Sequence, residues 1–126
     1  MEPAGARITL QFPASPRFVR VARMTLSAAA SAAAFDVEEL EDLRIAVTEL
    51  VNILVEAGGA EIELRIELGD DAIEVRGESD AHAVPDIDPL TEQILGAIVD
   101  DHRLRASDGR VVFTFRKSVP ARSPSA

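Results

Sequence analysis

Three arginines, Arg17, Arg20 and Arg23, follow a Ser15–Pro16 pair that reads as an N-cap and a first-turn proline. Their spacing puts them on one side of a helix near its N-terminus, the end where the helix dipole disfavours cations. An acidic partner segment would relieve that placement. A solvated face paired with acidic residues of the next helix would relieve it too. Glu49 and Asn52 form a second candidate pair, in the middle of the following helix. At about 100° per residue, Glu49 lies roughly opposite the Leu40/Val47/Val51 stripe, which on pattern alone reads as a solvated face. His82 and His102 are the only histidines, and neither has the i+3 or i+4 partner of a zinc-binding helix. His82 sits in an acidic loop with Asp80, Asp86 and Asp88, which lacks the regular acidic spacing and central glycine of a calcium loop. No metal site is expected. There is no nucleophile elbow, no G-x-x-x-x-G-K-[ST] and no G-x-G-x-x-G in the chain.

The elements that position these residues follow from periodicity. Arg7–Phe12 alternates Ile8, Leu10 and Phe12 with polar residues and predicts a half-buried strand. Phe18, Ala22, Leu26, Ala29 and Ala33 predict a first helix running to about Ala34. Asp36 and Glu39 have capping-box spacing, and Leu40, Leu43, Val47, Leu50, Val51 and Leu54 mark a long amphipathic helix stopped by Gly58–Gly59. Ala60–Leu68 switches to period two, Gly69–Asp70–Asp71 turns the chain, and Ile73 and Val75 continue the alternation, so an antiparallel hairpin is predicted. Residues 77–89 read as a loop. Leu90–Asp101 reads as a short helix with Leu90, Ile94, Leu95 and Ile98 inward. His102–Ala106 and Arg110–Arg116 then form strands joined around Asp108–Gly109, and no internal repeat is present. The order β-α-α-β-β-α-β-β predicts an α+β two-layer sandwich: one mixed, mostly antiparallel sheet with three helices on one face. Residues 1–6 and 118–126 are expected to be tails around a single domain at 7–117.

Composition narrows the function classes. The 126 residues suit one core rather than two. Thirteen basic against 22 acidic residues give a net charge of −9, which disfavours nonspecific binding to nucleic acid or anionic lipid. With no Trp, no Tyr and five Phe, base-stacking platforms are not expected. The absence of Cys removes disulfides and thiolate chemistry. The N-terminal residues do not read as a signal peptide, and no apolar run reaches membrane-spanning length, so a cytoplasmic protein is the expectation.

Leu43–Gly58, L-R-I-A-V-T-E-L-V-N-I-L-V-E-A-G, resembles the region L-R-x-A-V-[ST]-E-L-V-T-N-A-V-x-H-A of bacterial anti-sigma-factor serine kinases. These belong to the Bergerat-fold ATPases, with histidine kinases, gyrase and heat-shock chaperones. The similarity continues through I-E-V-R at Ile73–Arg76 and G-A-I-V-D-D at Gly96–Asp101 to D-G-R-V-V-F-T-F at Asp108–Phe115, and covers about residues 7–117. It implies the Bergerat fold, a sigma factor or an anti-anti-sigma (STAS) protein as partner, and three nucleotide motifs. A homodimer is compatible with it.

The chain departs from all three motifs. In the helix motif E-x-x-x-N, the Glu is the general base and the Asn ligates magnesium. Glu49 matches, Ile53 occupies the Asn position, and Asn52 is one residue early, about 100° around the helix. The second motif places an Asp at the end of a strand to bond the adenine amino group, and Gly77 falls at that place in the resemblance. The third is a G-x-G before the last helix, where Pro89, Leu90 and Thr91 stand. The reading expected from this pattern is a protein-binding regulatory module without cofactor, its Arg17/Arg20/Arg23 face meeting the partner. The alternative is an active ATP- and magnesium-dependent serine/threonine kinase acting on an anti-anti-sigma protein, with Glu49 as base and Asn52 as metal ligand. An accessory domain with an unrelated partner is a third reading.

Overall fold

A computed structural model describes residues 5–119. Strand β1 spans Ala6–Pro13, a 3-10 turn follows at Pro16–Phe18, and helices α1 and α2 span Val19–Ala30 and Val37–Glu56. Strands β2 and β3 (Glu61–Leu68 and Ala72–Ser79), helix α3 (Pro89–Ile98) and strands β4 and β5 (Asp101–Ser107 and Arg110–Ser118) complete the chain. The five strands form one sheet in the order β1-β2-β3-β5-β4, and every pairing is antiparallel. The sheet is thus wholly antiparallel, where the sequence pattern predicts a mixed, mostly antiparallel one.

Helix α2 is the central element. The Asp36 carboxylate accepts from the Glu39 amide at 2.8 Å and the Glu39 carboxylate accepts from the Asp36 amide at 2.9 Å. This capping box satisfies amides that the first turn cannot pair internally. The helix ends as Gly58 takes a φ of 92°, a conformation glycine adopts without steric cost. Leu43, Val47, Leu50, Val51 and Leu54 are buried, as their spacing predicts, against a sheet face carrying Ile62, Leu64, Ile66, Val75 and Phe113, all buried.

Four expectations change. The first helix stops at Ala30 rather than Ala34, because the amides of Ala32 and Ala33 bond the carbonyls of Ala29 and Ala30 three residues back. That tightened turn swings the chain toward the α2 cap. Strand β3 runs on to Ser79, so Gly77 is strand and the loop begins two residues later. Of the expected inward residues of α3, Leu95 is fully buried and Ile98 half-buried, whereas Leu90 is 61% and Ile94 37% exposed. Finally, Ala6 and Ser118 are strand residues, and Val119 donates its amide to Asp71 at 2.8 Å. The remaining residues of the expected tails, 1–4 and 120–126, lie outside the described residues. Among those described, no helix is long and apolar enough to cross a membrane.

Candidate functional site

The flank of α2 carries the residues singled out by the resemblance. Glu49 and Ile53 lie four apart on this flank, where i and i+4 side chains are neighbours. Glu49 is half-buried, so it borders the core rather than standing fully in water. Ile53 is 6% exposed and belongs to the core cluster, whereas Asn52 is exposed. The helix therefore presents an aliphatic side chain where the motif has an amide oxygen, and the neighbouring Asn52 is exposed. An aliphatic group offers magnesium no oxygen ligand.

Gly77 sits within β3, paired with Leu64 on one side and Phe113 on the other. A Cβ placed on it would meet Leu50 Cδ2 at 2.6 Å and Leu54 Cδ1 at 2.8 Å. Glycine is required here because α2 lies directly on the strand, and its two leucines fill the space a side chain would need. The end of the strand is Ser79, the one buried polar residue among those described. Its hydroxyl accepts from the Ala81 amide at 3.4 Å. Sequence reasoning misses Ser79 because it assigns residues 77–89 to a loop. The signal was there: Ile73, Val75, Gly77 and Ser79 continue a period of two.

The start of α3 is closed by its own chain. Asp88 is the N-cap, its carboxylate accepting from the Leu90 amide at 2.9 Å, and Pro89 in the first turn has no amide to offer. The place where an anion would approach this helix end carries a carboxylate.

The acidic loop resolves into structural roles. Asp80 accepts from the amides of Ala60 and Glu61 at 2.7 and 3.2 Å, and these bonds hold its carboxyl below the usual aspartate range. His82 is exposed, while His102 meets Glu92 at 2.9 Å and stacks on Phe113. The described residues contain no group of three or more His, Asp or Glu side chains that could hold a metal.

Glu78, on the helix-free face of the sheet, accepts from Arg110 at 2.7 Å and from Arg76 at 3.2 Å. The Arg110 bond, opposed by burial and aided by the charge of Arg76, holds the Glu78 carboxyl below the usual glutamate range. A depressed folded-state value means that the stabilisation is present above the ordinary glutamate pKa and lost as pH falls through the folded one. The destabilisation caused by Glu78→Gln, read from urea midpoints, should thus be constant at neutral pH and shrink below about pH 4. A difference that stays constant in acid would exclude this linkage.

The arginine face is open. Arg17 lies over the Phe18 ring at 6.0 Å, Arg20 is exposed and Arg23 half-buried, and none of the three is in an ion pair with another described residue. The same helix exposes Met24 (62%) and Val21 (39%). Arg23 and Met24 border a groove of 470 Å³ against α2, closed by Ser27, Glu41 and Arg44. The solvated pairing with α2 acids is thus not made: Glu41 pairs with Arg44 at 3.1 Å instead.

No protein-family model matches the chain. It is 40% identical over 75 residues to the serine-protein kinase RsbW of Listeria innocua, a match covering 56% of this chain and 48% of that protein. It is 37% identical over 81 residues to the RsbW of Oceanobacillus iheyensis, covering 57% and 51% of the two chains. With the RsbW of Bacillus subtilis it shares 36% over 73 residues, covering 54% and 46%. The chain thus matches about half the length of these curated relatives. Its fold superposes on the crystal structure of the RsbU and RsbW domains of a Mycobacterium tuberculosis protein with a TM-score of 0.74 at 19% identity, over 96% of this chain and 34% of that one. Over about half its length the chain is thus similar in sequence to RsbW serine-protein kinases, the family that the residues at Leu43–Gly58 resemble.

Proposed function

We propose that the chain is a regulatory protein-binding module that engages a sigma factor, an anti-anti-sigma STAS protein, or both, without using nucleotide. The observation that carries this reading is the burial of Ile53 at the magnesium-ligand position, with Asn52 turned out to solvent. Gly77 packed under Leu50 and Leu54, and a helix start closed by Asp88, support it from two other sides. The unpaired Arg17/Arg20/Arg23 face supplies the binding surface, with Val21 and Met24 as apolar contacts between the charges. On a protein of net charge −9, a local basic face selects an acidic partner segment by complementarity. The site is intracellular in this reading, as both partner classes are.

Reversing all three arginines to Glu should weaken binding to the host's sigma factor on the order of tenfold or more at low salt, with a smaller effect at high salt. Titration calorimetry of wild-type and triple-variant protein at two ionic strengths reads this directly. Unchanged affinity at low salt would move the interface elsewhere, and no association with any host sigma or STAS protein would remove the proposal.

The active-kinase reading has two observations in its favour: Glu49 is present and half-buried on this flank, and the relatives are named serine-protein kinases. It requires Asn52 to swing about 100° around α2. The buried neighbours Val51 and Ile53 resist such a rotation, because it would drive one of them into solvent.

A further inference from the structure

The helix-free face of the sheet contains a row of donors running across all five strands. Register pairs Thr9 with Arg65, Arg65 with Arg76, Arg76 with Thr114, and Thr114 with Arg103. The row thus holds three guanidinium groups and two hydroxyls, which donate readily, and no carboxylate. Arg65 and Arg76 stand directly opposite each other, an arrangement that destabilises a sheet unless something neutralises it. Arg76 is neutralised by Glu78 at 3.2 Å. Arg65 is not: its Nε is buried and lacks any hydrogen-bond partner, and no described acid pairs with it. A buried donor left unpaired on a charged group is costly, and native proteins generally provide it with an acceptor.

The acceptor has room. Arg65, Arg76 and Thr114 line a 320 Å³ pocket on this face, with Glu67, Glu74 and Arg116 around it. The flanking acids are already engaged, Glu67 with Arg7 at 3.2 Å and Glu74 with Arg116 at 3.6 Å. Asp101 stands at the rim, opposite Arg116 in register. With adjacent strands about 4.8 Å apart, Arg65, Arg76 and Thr114 span roughly 10 Å, within reach of one small polyoxygen anion held between long side chains.

We propose that this pocket binds a phosphate group, with the Arg65 guanidinium as the central cation, Arg76 as its second cation and Thr114 as a hydroxyl donor. Tetrahedral oxyanions match the guanidinium fork and accept from several donors at once. The site lies on the sheet face away from α1 and α2, so it stands independently of the partner surface proposed above.

The test is a titration of the folded protein with sodium phosphate, followed by the arginine Nε–Hε resonances, against sodium chloride at matched ionic strength. Arg65 and Arg76 should shift saturably in the millimolar range, while Arg7, paired on the same face, stays put. Arg65→Gln should weaken the response at least about tenfold. Thr114→Val, which keeps the volume and the β-branch, should weaken it less and guards against a folding defect in the arginine variant. A parallel arm with glycerol 3-phosphate separates phosphate carried on an organic molecule from free phosphate, and saturable binding in either arm supports the site. Equal shifts with phosphate and chloride, or an undiminished response in both variants, would overturn it.

Discussion

Gly77→Asp is expected to destabilise the fold by about 3–5 kcal/mol, the cost of leaving a buried charge without a partner. The substitution restores the residue type that the adenine motif carries, so its cost measures how far this chain has repacked that position. Leu50 and Leu54 occupy the space beside Gly77 and are themselves fully buried. The nearest heavy atoms that a side chain there would meet are the apolar tips of those two leucines. Leu50→Ala alone should cost about 2–5 kcal/mol, since its site is filled and can collapse only in part. The informative comparison is Gly77→Ala in both backgrounds. With Leu50 present the new Cβ forces a shift. With Leu50→Ala, the 2.6 Å clash disappears and only the Leu54 contact at 2.8 Å remains. Urea midpoints of the four proteins should therefore show coupling, the double variant being more stable than the sum of the two single losses implies. Strict additivity would mean that the strand and helix are not in the contact described.

The second large effect concerns nucleotide. Where the resemblance implies a magnesium ligand, the chain has Ile53, a buried aliphatic group with no oxygen to offer. Where it implies an adenine-binding carboxylate, neither Gly77 within the strand nor Ser79 at its end supplies one. Losing that charge-assisted bond costs about 1.5–3 kcal/mol. At the third motif, Pro89 removes an amide and Asp88 has taken the amide of Leu90, a loss of a further 1–3 kcal/mol or about that. These losses share one ligand and do not sum cleanly. Even about 3–4 kcal/mol weakens affinity several hundredfold, which turns a micromolar site into a nearly millimolar one. Glu49 cannot compensate, because a general base needs a positioned phosphate to act on.

Much of this was legible in the residues. The capping box at Asp36 and Glu39, the α2 stripe and the alternation at Ile62–Leu68 each express one periodicity under one burial requirement, and the fold follows from them. The failures have separate physical causes. Residues 77–89 read as a loop from sequence, whereas Gly77 lies in β3 and admits a helix onto the strand, which only the tertiary contact reveals. Leu90 and Ile94 were placed inward because apolar residues on a helix usually are. Yet Leu95 is the fully buried side chain of α3, and Leu90 lies five residues from it, about 140° around the helix, and stays exposed. The donor row on the far side could not be read from one strand at a time, since Thr9, Arg65, Arg76, Thr114 and Arg103 meet only through register. At the candidate site, helical phase alone points Glu49 to a solvated face, whereas the fold half-buries it and buries Ile53.

The central claim is that this chain, similar over part of its length to serine-protein kinases, works by binding protein rather than by using nucleotide. Isothermal titration of the purified protein with magnesium-ATP tests it most directly, with a thermal-shift measurement alongside. The expected result is a dissociation constant near millimolar or weaker and no appreciable rise in melting temperature at millimolar ligand. A dissociation constant below about 50 μM, which would stabilise the fold measurably at that concentration, would contradict it and return the chain to the active kinases, with Asn52 the first residue to substitute.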